Sequence, residues 1–469
     1  MENKKNYTSP YDLDGKIPFG QALALGLQHV LAMFVGNLTP ILLITGPLYC
    51  DLEHGIQIAI IQNAMLIAGL VTLVQLFTIG PVGAKLPIVM GTSSGFIGVA
   101  QSISQIMGGG VLAYGALMGA SLIGGLFECV LGFCIKPLRR FFPSVVTGTV
   151  VMSIGLSLIA VGINSFGGGN TNGDFGSLPN LFVGTVVLVV IILLKHFTKG
   201  ITSTASILFG IITGYILCAV MALILPTTYT MIDAKTGEEV IKTCSWVLNW
   251  DSVASAGWFA VPNLMPVHMV FDLRAILPMI IMFIVTAVET IGDTAGVTEG
   301  GLGRNATDSE LVGSVTADGL GSAVASFFGV LPNTSFSQNV GLVGMTKIVN
   351  RYAISLGAVF LILCGFFPKL AALIRMMPQS VLGGAAVMMF ASIVVSGMKL
   401  VTQDGVDNRV VTIVSVAIGL GYGLGANSSV LQFMPQAVQL IFGGSGIVPA
   451  ALVAIVLNVV IPKEEQEKK

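Results

Sequence analysis

The sequence predicts an all-α polytopic membrane protein. Of its 469 residues 54% are hydrophobic and only 10% are charged, and mean hydropathy is +0.90; a soluble domain carries about 25% charged residues. A spanning helix needs about 20 apolar residues, and roughly a dozen or more such stretches use up nearly the whole chain. The 58 glycines suit helices that must approach closely in lipid. A net charge of −1 offers no basic footprint for nucleic acid. Cys50, Cys129, Cys134, Cys218, Cys244 and Cys364 form no C-x-x-C pair, so no metal site and no cofactor are expected. Cys50 and Cys244 fall in loops assigned to the same outer side; a disulfide is one reading there, and free thiols are the preferred one.

The elements follow in order. Residues 1–16 read as a cytoplasmic tail, which runs into the first span with no small-residue cleavage site and so precedes a retained helix. Ile17–Ile44 carries Gln28 and His29 mid-span, and Ile56–Ile79 is a second span. Leu86–Ala100 is short, opens at Pro87 and has a small polar cluster at Thr92, Ser93 and Ser94. Spans near Val111–Ile135, Val145–Ile163, Leu181–Leu194 and Ser206–Leu225 complete a first repeat over 17–225. A polar outer loop, 226–272, holds Trp246, Trp250 and Trp258, whose clustering suits an interfacial segment at headgroup level. The second repeat, 273–462, opens with Ile276–Ala295 and Leu311–Val330. After a polar stretch come Tyr352–Phe367, Val381–Val401, Val410–Gly425 and Ile447–Ile461, with a short amphipathic helix expected over Val430–Phe442. Residues 463–469 form a cytoplasmic tail.

The two repeats are related. Arg140-Phe-Phe-Pro143-Ser-Val-Val146-Thr-Gly148 aligns without gaps on Arg375-Met-Met-Pro378-Gln-Ser-Val381-Leu-Gly383, and the register then matches Ser157 to Ser392 and Gly162 to Gly397. Leu86-Pro87 with Thr92-Ser93 echoes Leu331-Pro332 with Thr334-Ser335. Halves of seven spans each sit in opposite orientations, which predicts fourteen segments in a seven-plus-seven inverted repeat with its site at the midplane. With both termini inside, eleven loop Lys and Arg fall on the cytoplasmic side and five, Lys235, Lys242, Arg274, Lys369 and Arg375, on the outer side. That is the positive-inside bias.

The polar stretch is Pro332 to Lys347, P-N-T-S-F-S-Q-N-V-G-L-V-G-M-T-K. Backbone and side chains of this kind persist in hydrocarbon only where protein or a watery cavity satisfies them, and a polar, Gly/Pro-interrupted segment is the best sequence pointer to a transporter's binding site. Ionisable groups within spans cost about 2.5–3.5 kcal/mol on insertion scales and are functional candidates by default. Glu289 and Asp293 lie four apart and share a helix face; Asp318 is early in the next span and His29 is in the first. The plainer alternative is a helix-end carboxyl reaching interfacial water, which suits Asp293 better than Glu289, since Glu289 follows a long apolar run; for His29 it is a satisfied packing histidine.

Enzymatic signatures are missing: the chain has no H-E-x-x-H, G-x-S-x-G or G-x-x-x-x-G-K-[ST]. Gly419-Leu-Gly-Tyr-Gly-Leu-Gly425 lies inside a span and reads as packing. No enzyme is expected. The Gln338 amide offers one acceptor and two donors, whereas an ionised Glu289 only accepts. Together they suit the N–H and C=O edges of an oxidised purine or a uracil-like imide, and the half-helix after Pro332 would aim backbone N–H groups at ligand carbonyls. Ser93, Ser94 and Phe96 would supply the facing wall, with Phe96 or Phe336 stacking on the ring. A sugar or an anion also satisfies such groups. An anion carrier should, however, prefer a fixed positive charge, and a passive channel has no use for buried carboxyls.

Gln338-Asn339-x-Gly341-x-x-x-x-Thr346-Lys347 resembles the signature of the nucleobase–ascorbate transporter family. The resemblance spans essentially the whole chain, including G-L-Q-H-V-L-A-M-F in the first span, E-x-x-G-D at Glu289–Asp293, A-D-G at Asp318 and T-S-F-S-Q-N-V-G, which is similar to the bacterial xanthine and urate permeases. It implies fourteen spans divided into core and gate domains, with short antiparallel strands in the third and tenth, at Leu86–Phe96 and Pro332–Gln338. It further implies that Glu289 and Gln338 bind the base, that Asp318 and Asp293 support proton coupling or site geometry, and that Asn339 and His29 tune affinity. Uracil-type members carry Glu where this chain has Gln338, so purines are favoured. The third-span G-T-S-S-G-F departs from relatives that place an aromatic nearer the Thr/Ser pair, which leaves the stacking residue open. The implied protein is a symporter of xanthine or uric acid with H⁺ or Na⁺, a homodimer embedded in lipid of the bacterial cytoplasmic membrane; a uracil-type symporter and a sulfate- or bicarbonate-type carrier are the alternatives.

Overall fold

Apolar runs this long close into helices because the bilayer core leaves a backbone N–H or C=O no other partner. The computed structural model describes residues 9–138, 141, 143–169, 172–232, 239–403, 405–435, 438–443 and 446–462. Arg139, Arg140 and Lys235, used above for the repeat and the charge bias, lie outside the described residues, as do most of the N-terminal tail and the C-terminal tail. Nine helices among the described residues are long and apolar enough to cross a membrane, and a bent pair would make ten.

The elements of the first half are α1 (Phe19–Thr45) and α2 (His54–Phe77), then strand β1 (Met90–Thr92), the half-helix α3 (Ile97–Met107), and α4 (Gly110–Phe133), α5 (Ser144–Phe166), α6 (Leu178–Phe197) and α7 (Ser206–Ile224). The second half runs α8 (Leu273–Leu302), α9 (Asp308–Phe327), strand β4 (Asn333–Ser335), the half-helix α10 (Ser337–Thr346), α11 (Arg351–Cys364), α12 (Pro368–Arg375), α13 (Gln379–Thr402), α14 (Asn408–Ala426) and α15 (Ile447–Val460). The span expected at Tyr352–Phe367 is sharply broken, since α11 and α12 meet at 86° where Pro368 cannot continue the first helix. α9 begins in a capping box: Thr307 Oγ1 accepts from Glu310 N at 3.3 Å and the Glu310 carboxylate accepts from Thr307 N at 2.8 Å.

Helix packing repeats itself between halves. α1 and α2 pack on α11 as α8 and α9 pack on α4; α6 pairs with α7 as α14 pairs with α15; and α5 packs along α13. Glycines permit the last contact, since a Cβ on Gly148 would stand 2.8 Å from Gly397 O and one on Gly397 2.7 Å from Gly148 O.

The loop over 226–272 is more structured than a polar linker. It forms a hairpin of β2 (Thr228–Ile232) with β3 (Glu239–Thr243) and a short helix, Asp251–Ser255. The interfacial expectation for its tryptophans is corrected in one case. Trp250 and Trp258 are exposed, but Trp246 is 1% exposed and packs among Val183, Val187, Ile211 and Cys218. The single helix expected over Val430–Phe442 is also replaced: the described residues carry a 3₁₀ turn at Ser428–Leu431 and a π turn at Gln439–Gly443. All six cysteines are free thiols.

Candidate functional site

The two interrupted segments meet. β1 and β4 pair antiparallel with Met90 opposite Ser335, Gly91 opposite Thr334 and Thr92 opposite Asn333. Ser93 N donates to Pro332 O at 2.8 Å and Phe336 N to Val89 O at 3.0 Å, extending the ladder by one bond at each end. A hydroxyl of the second helix in each half moors its strand. Thr72 Oγ1 accepts from Met90 N at 2.9 Å and donates to Met90 O at 3.3 Å, while Ser322 Oγ accepts from Asn333 N at 3.0 Å and donates to Asn333 O at 3.1 Å. Asn37 of α1 holds β1 further, its Oδ1 accepting from Thr92 N at 2.7 Å. The strands thus close each other's backbone groups at a depth where water is scarce.

From this crossing the half-helices α3 and α10 depart, so their N-termini lie beside the strand pair; in α10 Asn339 N already donates to Phe336 O at 2.9 Å, and at the start of α3 Ile97 N donates to Ser94 O. α8 runs past it with two of the site carboxyls, Glu289 and Asp293. Asp293 is fully engaged: Ser335 Oγ donates to its Oδ2 at 2.7 Å and Ser337 Oγ to its Oδ1 at 2.8 Å. Asp318, on α9, accepts a short hydrogen bond from Thr290 and a 3.4 Å one from Thr334. These two aspartates hold the 333–337 segment by its side chains. Glu289 differs. It is 7% exposed, and its Oε2 has no hydrogen-bond partner among the described residues. The amide of Gln338, in the first turn of α10, likewise finds none there. An acceptor-only or protonated carboxyl and a bidentate amide therefore remain available where the broken segments meet, and a buried polar atom left unpaired costs about 1–3 kcal/mol.

The aromatic candidates are occupied by packing. Phe96 is fully buried with its ring 4.8 Å from that of Phe283, tilted by 58°. Phe336 is 6% exposed and wedges between α1 and β1, so close that a Cβ on Gly36 would fall 2.7 Å from its Cε1 and one on Gly91 2.8 Å from its Cε2. Ser93 caps the turn into α3, its Oγ accepting from Gly95 N at 3.2 Å, and Ser94 opens that turn. His29 and Asn339 meet each other: the amide nitrogen of Asn339 donates to His29 O at 2.9 Å and lies 3.2 Å from His29 Nδ1. His29 Nε2 is buried and has no hydrogen-bond partner among the described residues.

A profile described as the Permease family matches residues 20–429. The chain belongs to that family. Full-length relatives agree: it is 32% identical to the xanthine permease XanP of Escherichia coli K12 over 97% of this chain and 95% of that one. It is also 32% identical to the uric acid transporter UacT of the same strain over 96% and 87%. Among solved structures, the transmembrane domain of the cyanobacterial bicarbonate transporter BicA superposes with a TM-score of 0.54 at 15% identity, covering 94% of this chain and 98% of that one. At that identity the likeness concerns fold alone.

The permease is thus a multi-pass membrane protein and not an enzyme. Its fold gathers Glu289, Asp293, Asp318, Ser93, Gln338 and Asn339 around one strand crossing. One buried carboxyl escaped the sequence reading. Glu128 is 0% exposed on α4, its Oε1 3.3 Å from the Thr286 hydroxyl of α8. The signal was a glutamate inside the apolar run G-G-L-F-E-C-V. The moorings by Thr72, Ser322 and Asn37 had none, because a hydroxyl or amide in a span reads as ordinary packing until its partner is known.

Proposed function

We propose that this permease is a secondary active transporter that takes up xanthine or uric acid with a proton by alternating access. The observation that carries the proposal is the contrast between Asp293, both of whose oxygens are held by serines, and Glu289, one turn away on α8, buried and with an oxygen unpartnered; Gln338 stands in the first turn of α10, which packs on that helix. Glu289 and Gln338 together match the N–H and C=O edge of an oxidised purine, and the named specificities of XanP and UacT support the same substrate class. Glu289 then binds the base, Gln338 reads its edge, Asp293 and Asp318 keep the half-helix in place, and one of Glu289, Asp293 and Asp318 carries the coupled H⁺, with Na⁺ as the other candidate ion. Ser93, Ser94 and Phe96 wall the site, Phe336 backs it, and Asn339 with His29 sets its shape.

In this proposal the chain has fourteen segments in an inverted seven-plus-seven repeat, the strands forming part of the third and tenth. The matched helix pairings and the twin moorings of Met90 and Asn333 support it. The protein is a homodimer of the bacterial cytoplasmic membrane with both termini inside. A charge moving down 100 mV yields about 2.3 kcal/mol, enough for roughly tenfold or greater accumulation. The test is uptake of radiolabelled xanthine by a purine-transport-deficient bacterium, with unlabelled urate, guanine and uracil as competitors and with or without a protonophore. Uptake that collapses with the proton gradient is expected. A chain that reaches the membrane yet moves no purine would overturn the proposal and bring the anion-carrier alternative forward.

A further inference from the structure

A cavity of about 190 Å³ lies beside the C-terminal half of α8, away from the site described above, between that helix and the ends of α5 and α13. Its polar lining comes from Ser144, Thr147, Glu299 and Gln403. Glu289, Gly292, Ala295 and Glu299 succeed one another along α8 by steps of three, three and four, the spacing of side-chain neighbours on a helix surface. With a rise of 1.5 Å per residue, Glu299 stands about 15 Å from Glu289 along the axis, toward the end that the charge bias assigns to the cytoplasm. Gly292, which also lines the cavity, lies between the two on this face and packs closely, since a Cβ there would meet Thr147 Cβ at 3.4 Å and Leu400 Cδ1 at 3.6 Å. Across the cavity mouth, Gln403, the residue after α13, donates its amide N–H to the Glu299 carboxylate.

Glu299 and Gln403 repeat the chemistry of Glu289 and Gln338: an acceptor-only carboxylate faces an amide with one acceptor and two donors. We infer that this cavity is a second purine subsite, a waypoint between the midplane and the cytoplasm, where Glu299 accepts ring N–H groups and Gln403 pairs with an adjacent N–H and C=O. Without a ligand the two side chains satisfy each other. A purine entering between them replaces the Gln403–Glu299 hydrogen bond and offers each side chain a new partner. The inference rests on the transport function proposed above.

The test compares sides. Membrane vesicles of right-side-out and inside-out orientation, made from cells producing wild type, E299A, E299Q or Q403A, are assayed for the xanthine concentration giving half-maximal flux. From the cytoplasmic face the variants are expected to need about tenfold more xanthine, the loss of one hydrogen bond to a charged group; from the outer face they should match wild type. E299Q keeps the packing and is expected to show the same asymmetry if E299A does not reach the membrane. Unchanged values from both faces would overturn the subsite, and so would equal increases from both, which would mean that Glu299 acts through the midplane site. Wild-type vesicles that move no purine from either face would instead remove the transport proposal itself.

Discussion

Ser335 donates a 2.7 Å hydrogen bond to Asp293, tying the last residue of β4 to the middle of α8. Ser337, two residues on, takes the other carboxylate oxygen at 2.8 Å. One side chain thereby fixes the turn from strand to half-helix, which sets where the first N–H groups of α10 and the Gln338 amide stand. Hydrogen bonds to charged groups contribute about 1.5–3 kcal/mol. S335A and S337A are each expected to raise the half-saturating xanthine concentration about tenfold or more, with D293A worse than either and D293N milder because the serine hydroxyls can turn to its amide. Uptake kinetics normalised to membrane abundance check the order; D293A behaving as wild type would remove the clamp.

Glu289→Gln should abolish concentrative uptake while leaving the protein in the membrane. Glutamine nearly preserves shape, but it replaces one acceptor oxygen with an NH₂ donor and cannot exchange a proton at working pH. Near-wild-type accumulation by E289Q would take Glu289 out of the coupling mechanism.

Phe336 fills the space left by two glycines, so Gly36→Ala drives a methyl to within 2.7 Å of its ring. Overpacking of this kind costs about 1–3 kcal/mol. G36A is expected to lower the unfolding temperature of the detergent-purified protein, and G36A/F336L to recover part of the loss, as measured by thermal unfolding. No recovery would mean that the clash is relieved some other way.

His29 and Asn339 share two contacts, at 2.9 Å and 3.2 Å. H29A and N339A should therefore be non-additive in xanthine affinity, with a coupling of about 0.5–3 kcal/mol in a double-mutant cycle. Strict additivity would argue that each meets the ligand separately.

Much of the architecture was legible because lipid simplifies the code. Ser206–Leu225, read from apolar run length, is the helix Ser206–Ile224, whereas Asp293, expected near the end of Ile276–Ala295, falls well inside the longer helix Leu273–Leu302. Breaks were harder. Pro332 signalled an interruption, but the pairing of Gly91 with Thr334 is a contact over more than two hundred residues, which no local pattern encodes. Trp246 looked interfacial by type and is buried by tertiary packing against α6 and α7. The site carboxyls stood out because charge is rare in these spans. Which of them would be satisfied and which left open depended on where Ser335, Ser337 and Thr290 fell.

The central claim is that a purine binds between Glu289 and Gln338, and equilibrium binding of xanthine to the purified permease tests it most directly. A ligand at 100 times its dissociation constant stabilises the folded state by about 2.7 kcal/mol. Wild type should show a xanthine-dependent rise in unfolding temperature that E289Q and Q338A both lose, while their ligand-free unfolding stays near that of wild type. A shift of wild-type size in both variants would contradict the account and place the base elsewhere in the fold.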